Sequence, residues 1–291
     1  MEKLVLRTED DFFLVADLHV PDTKPWAIAY LGHAMMVDRR TLDRPRGRGL
    51  VSTLVGRGVV VVNVDFRGHG ESTRPRSPSF TFDDIVRYDV PTWLGAARER
   101  FPDLPRFLVG HSLGVNAGLP GAARMPDHDL AGAIGLAPNL WLKRFEPNLL
   151  RLAQKELMVR AFDYASRPTG FFDPDLVGMG KSKIPRAYVR QFRRFWDGGR
   201  LVSEDGKDDY EALLGTLRIP MLAVSGRRDL LMAHPDVVER YLSLFRAAEV
   251  EHLRFRGGGG FDPDHMGLVI AEEARPLFER CADFLAEVVA R

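Results

Sequence analysis

Eight short apolar runs recur along the chain, and helical spacing separates most of them. The run "VVVV" at residues 59–62 constrains the fold most, because it is apolar at every position and leaves no face suited to water. Strands of this kind are typical of a parallel sheet covered by helices on both faces. The first two runs, at residues 3–8 and 12–20, are expected to pair antiparallel. We therefore predict an α/β fold with an eight-stranded, mostly parallel sheet flanked by helices.

The alternation of strand and helix patterns stops after the sixth run. Residues 139–210 are dense in aromatic side chains, carry weak strand signals and show helical spacing. We expect this segment to be a helical cap inserted into a core formed by residues 1–138 and 211–291. After the insertion two more strand-like runs follow, and residues 266–289 predict one long closing helix.

One helix of the expected cap is visible in residues 184–199. Tyr188, Phe192 and Phe195 are spaced i, i+4 and i+7 on one face, and arginines keep the same spacing on another. The aromatic face is expected to pack on the core or to line a pocket. The basic residues are more typical of a solvated face than of a site for an anionic substrate group.

Composition narrows the functional classes. The chain has 41 basic and 40 acidic side chains, so no overall field favours nucleic acid, and small molecules are the expected partners. No apolar run approaches the roughly 20 residues that cross a bilayer, and no secretion signal is recognised at the start, which predicts a cytoplasmic protein without integral membrane association. The single cysteine, Cys281, is expected to be a core residue.

The segment "FLVGHSLGVN", residues 107–116, is the candidate for carrying a catalytic residue. Its Gly-x-Ser-x-Gly pattern is expected about 0.1 times by chance in a chain of this composition, so the pattern alone does not decide the matter. Its context does, because a strand-like run precedes Ser112 and a small-residue helix pattern follows it. A serine at such a sharp strand-to-helix turn is exposed for attack, and Gly110 and Gly114 let the strand and the helix approach closely. We predict that Ser112 is a nucleophile.

A serine hydroxyl needs a base, and the base needs a carboxylate to orient it. Asp229 follows a later strand, and His265 lies between the last strand and the closing helix pattern. We predict Asp229 and His265 for these roles. Asp262 and Asp264 remain alternative acids, although they lie close in sequence to His265.

The remaining histidines have less specific expectations. His19, His69 and His252 are expected to be structural, and His128 and His234 are expected to be solvated loop residues. For His111, beside Ser112, two roles remain as alternatives: lining a pocket, or a structural role.

Two backbone N–H groups are expected to bind the oxyanion that forms during acyl transfer. The turn at Ser112 points the N–H of Leu113 towards the reacting carbonyl. The second donor should come from the loop after the third strand, where Ala34 is the candidate and Met35 the alternative.

At these residues the sequence resembles the α/β-hydrolase superfamily. The matching pieces are "LGHAMM", "VDFRGHGES", "VGHSLG", "VSGRRDLL" and "DPDHMGL", which occur in the order of that superfamily. The resemblance implies an α/β-hydrolase fold over nearly the whole chain and a lid over the serine. Many relatives carry His-Gly in the oxyanion loop, whereas this chain has Gly32-His33-Ala34.

The resemblance implies a serine hydrolase of the esterase or lipase type, without a metal or organic cofactor. We expect it to cleave a carboxylic ester with a hydrophobic part through an acyl-enzyme. Thioester or C–C bond hydrolysis, acyl transfer and perhydrolysis use the same three residues and remain alternatives. A small-molecule-binding protein without activity is the alternative from another class.

Overall fold

The computed structural model describes residues 1–72 and 79–291. Its main sheet has eight strands, which are β1 (Glu2–Arg7), β2 (Phe13–His19), β3 (Ala27–Gly32), β4 (Val59–Asp65), β5 (Arg106–His111), β6 (Leu130–Leu136), β9 (Pro220–Gly226) and β10 (Glu249–Phe255). Strands β7 (Phe171–Phe172) and β8 (Ile184–Pro185) form a separate hairpin. All neighbours in the main sheet pair in parallel except β1 with β2 and β2 with β4. The prediction of an eight-stranded, mostly parallel sheet with an antiparallel leading pair is confirmed.

The spatial order of the main sheet is β1-β2-β4-β3-β5-β6-β9-β10. Strands β3, β4 and β5 lie near its middle and are buried along their whole length. Their apolar residues therefore face helices on both sides, as the continuous apolar runs predict. Because β3, β5 and β6 are parallel neighbours, their carboxyl ends meet at one edge of the sheet.

The helices cover both faces of the sheet. Two large apolar clusters lie one on each side, and residues alternate between them along β3 and β4. None of the helices in the described part of the chain is long and apolar enough to cross a membrane. The helices are α1 (Leu50–Gly56), α2 (Phe82–Asp84), α3 (Val90–Gly95), α4 (Leu113–Ala123), α5 (Leu149–Ala165), α6 (Arg186–Gly198), α7 (Tyr210–Leu214), α8 (Pro235–Leu242), α9 (Gly267–Ile270) and α10 (Arg275–Val289).

Residues 139–210 connect β6 to β9. They contain α5, α6, the short hairpin β7–β8 and the start of α7. Helix α6 forms where the aromatic spacing predicts it, with Tyr188 and Phe195 buried and Phe192 half-buried. The sequence did not predict the hairpin, because strands of two residues carry no periodic signal.

The prediction of one long closing helix is wrong. Residues 266–289 form α9 and α10 with a short 3-10 turn between them, and Ala271 adopts an extended backbone with φ −79° and ψ 141°. Pro276 lies in the first turn of α10, where its missing N–H costs nothing. A proline farther inside a helix would remove a hydrogen bond and clash with the preceding turn, so the helix restarts just before it. Cys281 is fully buried on α10, as expected, and burial raises the pKa of its thiol to about 12.

Candidate active site

Ser112 lies between the end of β5 and the first residue of α4. Its backbone has φ 50° and ψ −106°, an unfavourable conformation for a side-chain-bearing residue. Its N–H donates to the carbonyl of Leu136 at 2.9 Å, which ties the turn to β6. The strained turn is therefore held by the sheet, and it places the hydroxyl at the N-terminal end of a buried helix of 11 residues.

The two flanking glycines are required by close backbone approach. A Cβ on Gly110 would lie 2.1 Å from the nitrogen of Val115, and a Cβ on Gly114 would lie 2.1 Å from the carbonyl oxygen of Gly32. Gly114 N–H also donates to the carbonyl of His33 at 3.0 Å. Strand β3, its following loop and α4 are thus packed against one another with no room for a side chain.

Asp229 and His265 form a hydrogen-bonded pair in the loops after β9 and β10. His265 Nδ1 donates to Asp229 Oδ2 at 2.6 Å. The other carboxylate oxygen, Oδ1, accepts from the backbone N–H groups of Met232 and Ala233 at 3.0 and 2.9 Å. Asp229 is 2% exposed, so its carboxylate is fixed in a dry environment. The imidazole is therefore held through Nδ1, and Nε2 is the nitrogen that can accept a proton.

The alternative acids have other partners. Asp262 pairs with Arg256 at 3.0 Å, and Asp264 accepts from the N–H of Gly267, the first residue of α9, at 2.7 Å. The geometry therefore brings Asp229 to His265 and gives the two nearer carboxylates roles in the loop itself.

A cavity of about 240 Å³ joins Ser112 and His265, which both lie in its wall. The loop after β3 and the turn at Ser112 contribute to its wall, and residues 139–210 contribute mostly apolar side chains to the same wall. No carboxylate occurs among the described residues that line it. The full lining is Ala34, Met35, Met36, Ser112, Leu113, Asn116, Asn139, Leu140, Trp141, Phe162, Gly178, Met179, Tyr188, Phe192, Met232, His265 and Met266.

The two predicted N–H donors also face this cavity. Leu113 and Ala34 lie in its wall, and within residues 1–72 and 79–291 neither N–H has a hydrogen-bond acceptor. Leu113 is the first residue of α4, so the positive end of the helix dipole adds to its field. Within the described residues the Met35 N–H also has no hydrogen-bond acceptor, so Met35 remains the alternative to Ala34. Two free donors beside a serine are suited to bind a developing oxyanion.

Two buried histidines hold the loop that carries Ala34. The N–H of Phe66 donates to His33 Nε2 at 3.1 Å, so His33 carries its proton on Nδ1 and donates to the carbonyl of Ala34 at 2.7 Å. In the same way Met36 N–H donates to His69 Nε2 at 3.2 Å, and His69 Nδ1 donates to the carbonyl of Arg67 at 2.9 Å. Burial lowers the pKa of His33 to about 4 and that of His69 to about 3, so both are neutral near pH 7.

His111 plays a similar part for the histidine loop. Its Nε2–H donates to the backbone carbonyl of His265 at 2.9 Å, and burial lowers its pKa well below the usual range. The sequence did not decide the role of His111, and it predicted a structural role for His69 without indicating a link to the site. The signal that would have found them is their position, since His33, His69 and His111 each lie within or beside a motif that forms the site.

The side chains of the motif after β4 bind neighbouring loops and helices. Asp65 accepts from the N–H groups of Arg39 and Glu71, and Arg67 pairs with Asp89 at 2.7 Å. Within the described residues, no group of three or more His, Cys, Asp or Glu side chains is arranged to hold a metal ion.

Comparisons with known proteins agree with this architecture. Residues 45–164 match the sequence model of a family described as serine aminopeptidase, S33. The whole chain superposes on a structure titled "Lipase (Open form)" with a TM-score of 0.70 and 18% identity, covering 100% of this chain and 99% of the other. It superposes on a monoacylglycerol lipase of Paleococcus ferrophilus with a TM-score of 0.61 and 16% identity, covering 99% and 100%. These likenesses show that the chain has an α/β-hydrolase fold.

Sequence relatives cover the chain only in part. A monoacylglycerol lipase of Mycolicibacterium smegmatis is 30% identical over 39% of this chain and 38% of its own length. A monoglyceride lipase of Mus musculus is 25% identical over 60% of this chain and 55% of its own length. The matched region thus spans well under two thirds of these relatives.

Proposed function

We propose that this protein hydrolyses carboxylic esters that carry a hydrophobic part, with Ser112 as the nucleophile. The observation that carries the proposal is one cavity whose wall contains Ser112, His265 and the free N–H groups of Leu113 and Ala34. His265, oriented by Asp229, lies in the same wall as the serine. These are the groups that acyl transfer requires.

The proposed reaction has two halves. His265 Nε2 takes the proton of Ser112 Oγ as the oxygen attacks the ester carbonyl, and the N–H groups of Leu113 and Ala34 bind the resulting oxyanion. The C–O bond to the alcohol then breaks, and His265 gives the proton to the leaving oxygen. Water repeats the sequence on the acyl-enzyme and releases the acid. No metal or organic cofactor takes part in these steps.

The cavity favours an apolar substrate. Five methionines and several aromatic side chains line it, and methionine adapts to flexible acyl chains. We propose that residues 139–210 act as a lid, because this segment contributes four aromatic side chains to the cavity that contains Ser112, namely Trp141, Phe162, Tyr188 and Phe192. Relatives named as monoacylglycerol and monoglyceride lipases support an ester of glycerol as one substrate class.

Cleavage of amino-terminal peptide bonds is the second candidate, because a matching family is described as a serine aminopeptidase. An aminopeptidase must bind the cationic amino terminus of its substrate. The described residues that line the cavity include no carboxylate to pair with that charge. The lining therefore favours the neutral ester.

Kinetic assays test this proposal. p-Nitrophenyl esters of increasing acyl length and amino-acid p-nitroanilides would be offered to the protein and to Ser112→Ala. We expect ester hydrolysis that Ser112→Ala removes and the control Ser243→Ala retains, since Ser243 only caps a surface helix. Hydrolysis of the anilides in preference to the esters, or an active Ser112→Ala protein, would overturn the proposal.

A further inference from the structure

A second pocket, of about 380 Å³, lies on the outer face of helix α6, away from the cavity that contains Ser112. Four arginines of α6 contribute to its wall, namely Arg186, Arg190, Arg193 and Arg194. At 3.6 residues per turn they lie on the opposite side of the helix from the aromatic residues that line the cavity. With Arg167, which follows α5, the wall has five arginines and three carboxylates, so positive charge is in excess.

Salt bridges hold part of this wall in place. Asp163, which is 3% exposed, accepts from Arg193 at 2.7 Å and from Arg167 at 3.0 Å. Arg193 also donates to Asp197 at 3.2 Å. Two of the three carboxylates are therefore occupied, and they fix the guanidinium groups of Arg167 and Arg193.

The other three arginines of the wall differ in their partners. Arg194 donates to the backbone carbonyl of Ser203 at 2.8 Å and pairs with Glu204 at 3.9 Å. Arg186 and Arg190, in contrast, form no hydrogen bond or ion pair through their side chains with any residue that the structure describes. Two guanidinium groups thus lie in the pocket wall without a counter-charge.

The positions of these two charges are unfavourable in the protein without a ligand. Arg186 is the first residue of α6, where the positive end of the helix dipole repels a cation. Arg190 lies four residues farther along and Arg194 four more, and like charges at this spacing destabilise a helix. An anion bound by Arg186 and Arg190 would offset both repulsions.

We propose that this pocket binds a phosphate group through Arg186 and Arg190. A guanidinium presents paired N–H donors that match two phosphate oxygens, and a phosphate monoester carries close to two negative charges near pH 7, one for each free arginine. The phosphate can belong to a small phosphorylated molecule or to a lipid headgroup, because the chemistry is the same. Among the described residues, no side chain lines both this pocket and the cavity, so the proposal does not depend on ester hydrolysis.

Calorimetric titration with inorganic phosphate at constant ionic strength tests the site. We expect saturable binding, and we expect Arg186→Gln and Arg190→Gln each to raise Kd on the order of tenfold or more, because each removes a charge-assisted hydrogen bond. Arg275→Gln is the matched control. Arg275 is also an exposed first residue of a helix without an ion pair to any described residue, but it lies outside the pocket wall, so the Kd should be unchanged.

Stability measurements show that the variants remain folded. Without phosphate, Arg190→Gln should unfold at the same or a higher urea concentration than the unaltered protein, because it removes a repulsion between like charges. A clearly lower urea midpoint would contradict the view that Arg190 has no favourable partner.

Co-sedimentation with lipid vesicles identifies the source of the phosphate. The vesicles would contain ether-linked phosphatidylcholine, alone or with one lipid in five replaced by ether-linked phosphatidate, so that no ester is present to be cleaved. Phosphate binding together with retention on the phosphatidate vesicles alone would assign a lipid headgroup, and phosphate binding without that retention would assign a small phosphorylated molecule. Absence of saturable phosphate binding, or an unchanged Kd in both glutamine variants, would overturn the site.

Discussion

Asp229 binds His265 through one carboxylate oxygen and the backbone of its own loop through the other. The distances are 2.6 Å to His265 Nδ1 and 3.0 and 2.9 Å to the N–H groups of Met232 and Ala233. The carboxylate therefore has a single orientation, and the imidazole that it holds has a single tautomer. This pair is the part of the proposed mechanism with the most sharply defined geometry.

Asp229→Asn should lower kcat by on the order of 10³ to 10⁴, because an amide nitrogen facing His265 favours the wrong tautomer. The control is Asp262→Asn, whose carboxylate pairs with Arg256 at the surface. Steady-state kinetics with a p-nitrophenyl ester would measure both. If Asp262→Asn lost the activity and Asp229→Asn kept it, the acid would be misassigned.

Gly114→Ala should lower the free energy of unfolding by about 1–3 kcal/mol, the usual cost of overpacking. The new Cβ would lie 2.1 Å from the carbonyl oxygen of Gly32, which must move together with the loop that carries Ala34. Activity should fall as well. Gly56→Ala in α1 is the control, because its Cβ would meet nothing within 4 Å. Urea denaturation of both variants would show whether the close approach is as tight as described.

Acid should destabilise the protein through His33. Burial lowers the pKa of His33 to about 4, whereas the unfolded chain keeps it near 6.5. At pH values between these two pKa values the unfolded state binds more protons than the folded state. The stability that neutral, buried His33 contributes is therefore complete above about pH 6.5 and is lost as the pH falls towards 4. The difference between the two pKa values corresponds to on the order of 3 kcal/mol in the free energy of unfolding.

Denaturant titrations at several pH values would measure that loss. His33→Gln cannot take up a proton and should show a shallower dependence of unfolding free energy on pH between 6.5 and 4. An equal slope in the variant and the unaltered protein would show that protonation of His33 does not contribute.

Phe192 and Phe195 lie on the same side of α6 but should behave differently. Phe195 is 2% exposed and packs edge-on against Phe82 at 5.6 Å between ring centroids, so Phe195→Ala should cost about 3–5 kcal/mol of stability. Phe192 lines the cavity, and Phe192→Ala should raise KM for long-chain esters by about tenfold with a smaller loss of stability. Thermal unfolding and acyl-length profiles of the two variants would distinguish these roles.

The core of the fold was predictable because its strands are apolar over their whole length. The runs at 59–62 and 107–110 have no polar face, which leaves few arrangements other than a parallel sheet covered on both sides. Apolar spacing does not predict the break in the closing segment, because it continues through residue 271; the residue that marks the restart is Pro276, in the first turn of α10.

The candidate site was predictable where a residue's chemistry depends on its place in a motif. Ser112, Asp229 and His265 were predicted in this way, and the structure brings Ser112 and His265 to one cavity and Asp229 to His265. The hydrogen bonds of His33 and Asn139 were not predicted, because their partners come from segments distant in sequence, Phe66 for His33 and Met232 for Asn139. Only the folded chain brings those atoms together.

The central claim is that Ser112 is an activated nucleophile, and a fluorophosphonate probe tests it most directly. The purified protein would be incubated with the probe and the modified residue located by peptide mass spectrometry. We predict stoichiometric label on Ser112 that is lost in His265→Ala and kept in the control Ser243→Ala. A folded protein without label on Ser112, or with equal label after His265→Ala, would contradict the account.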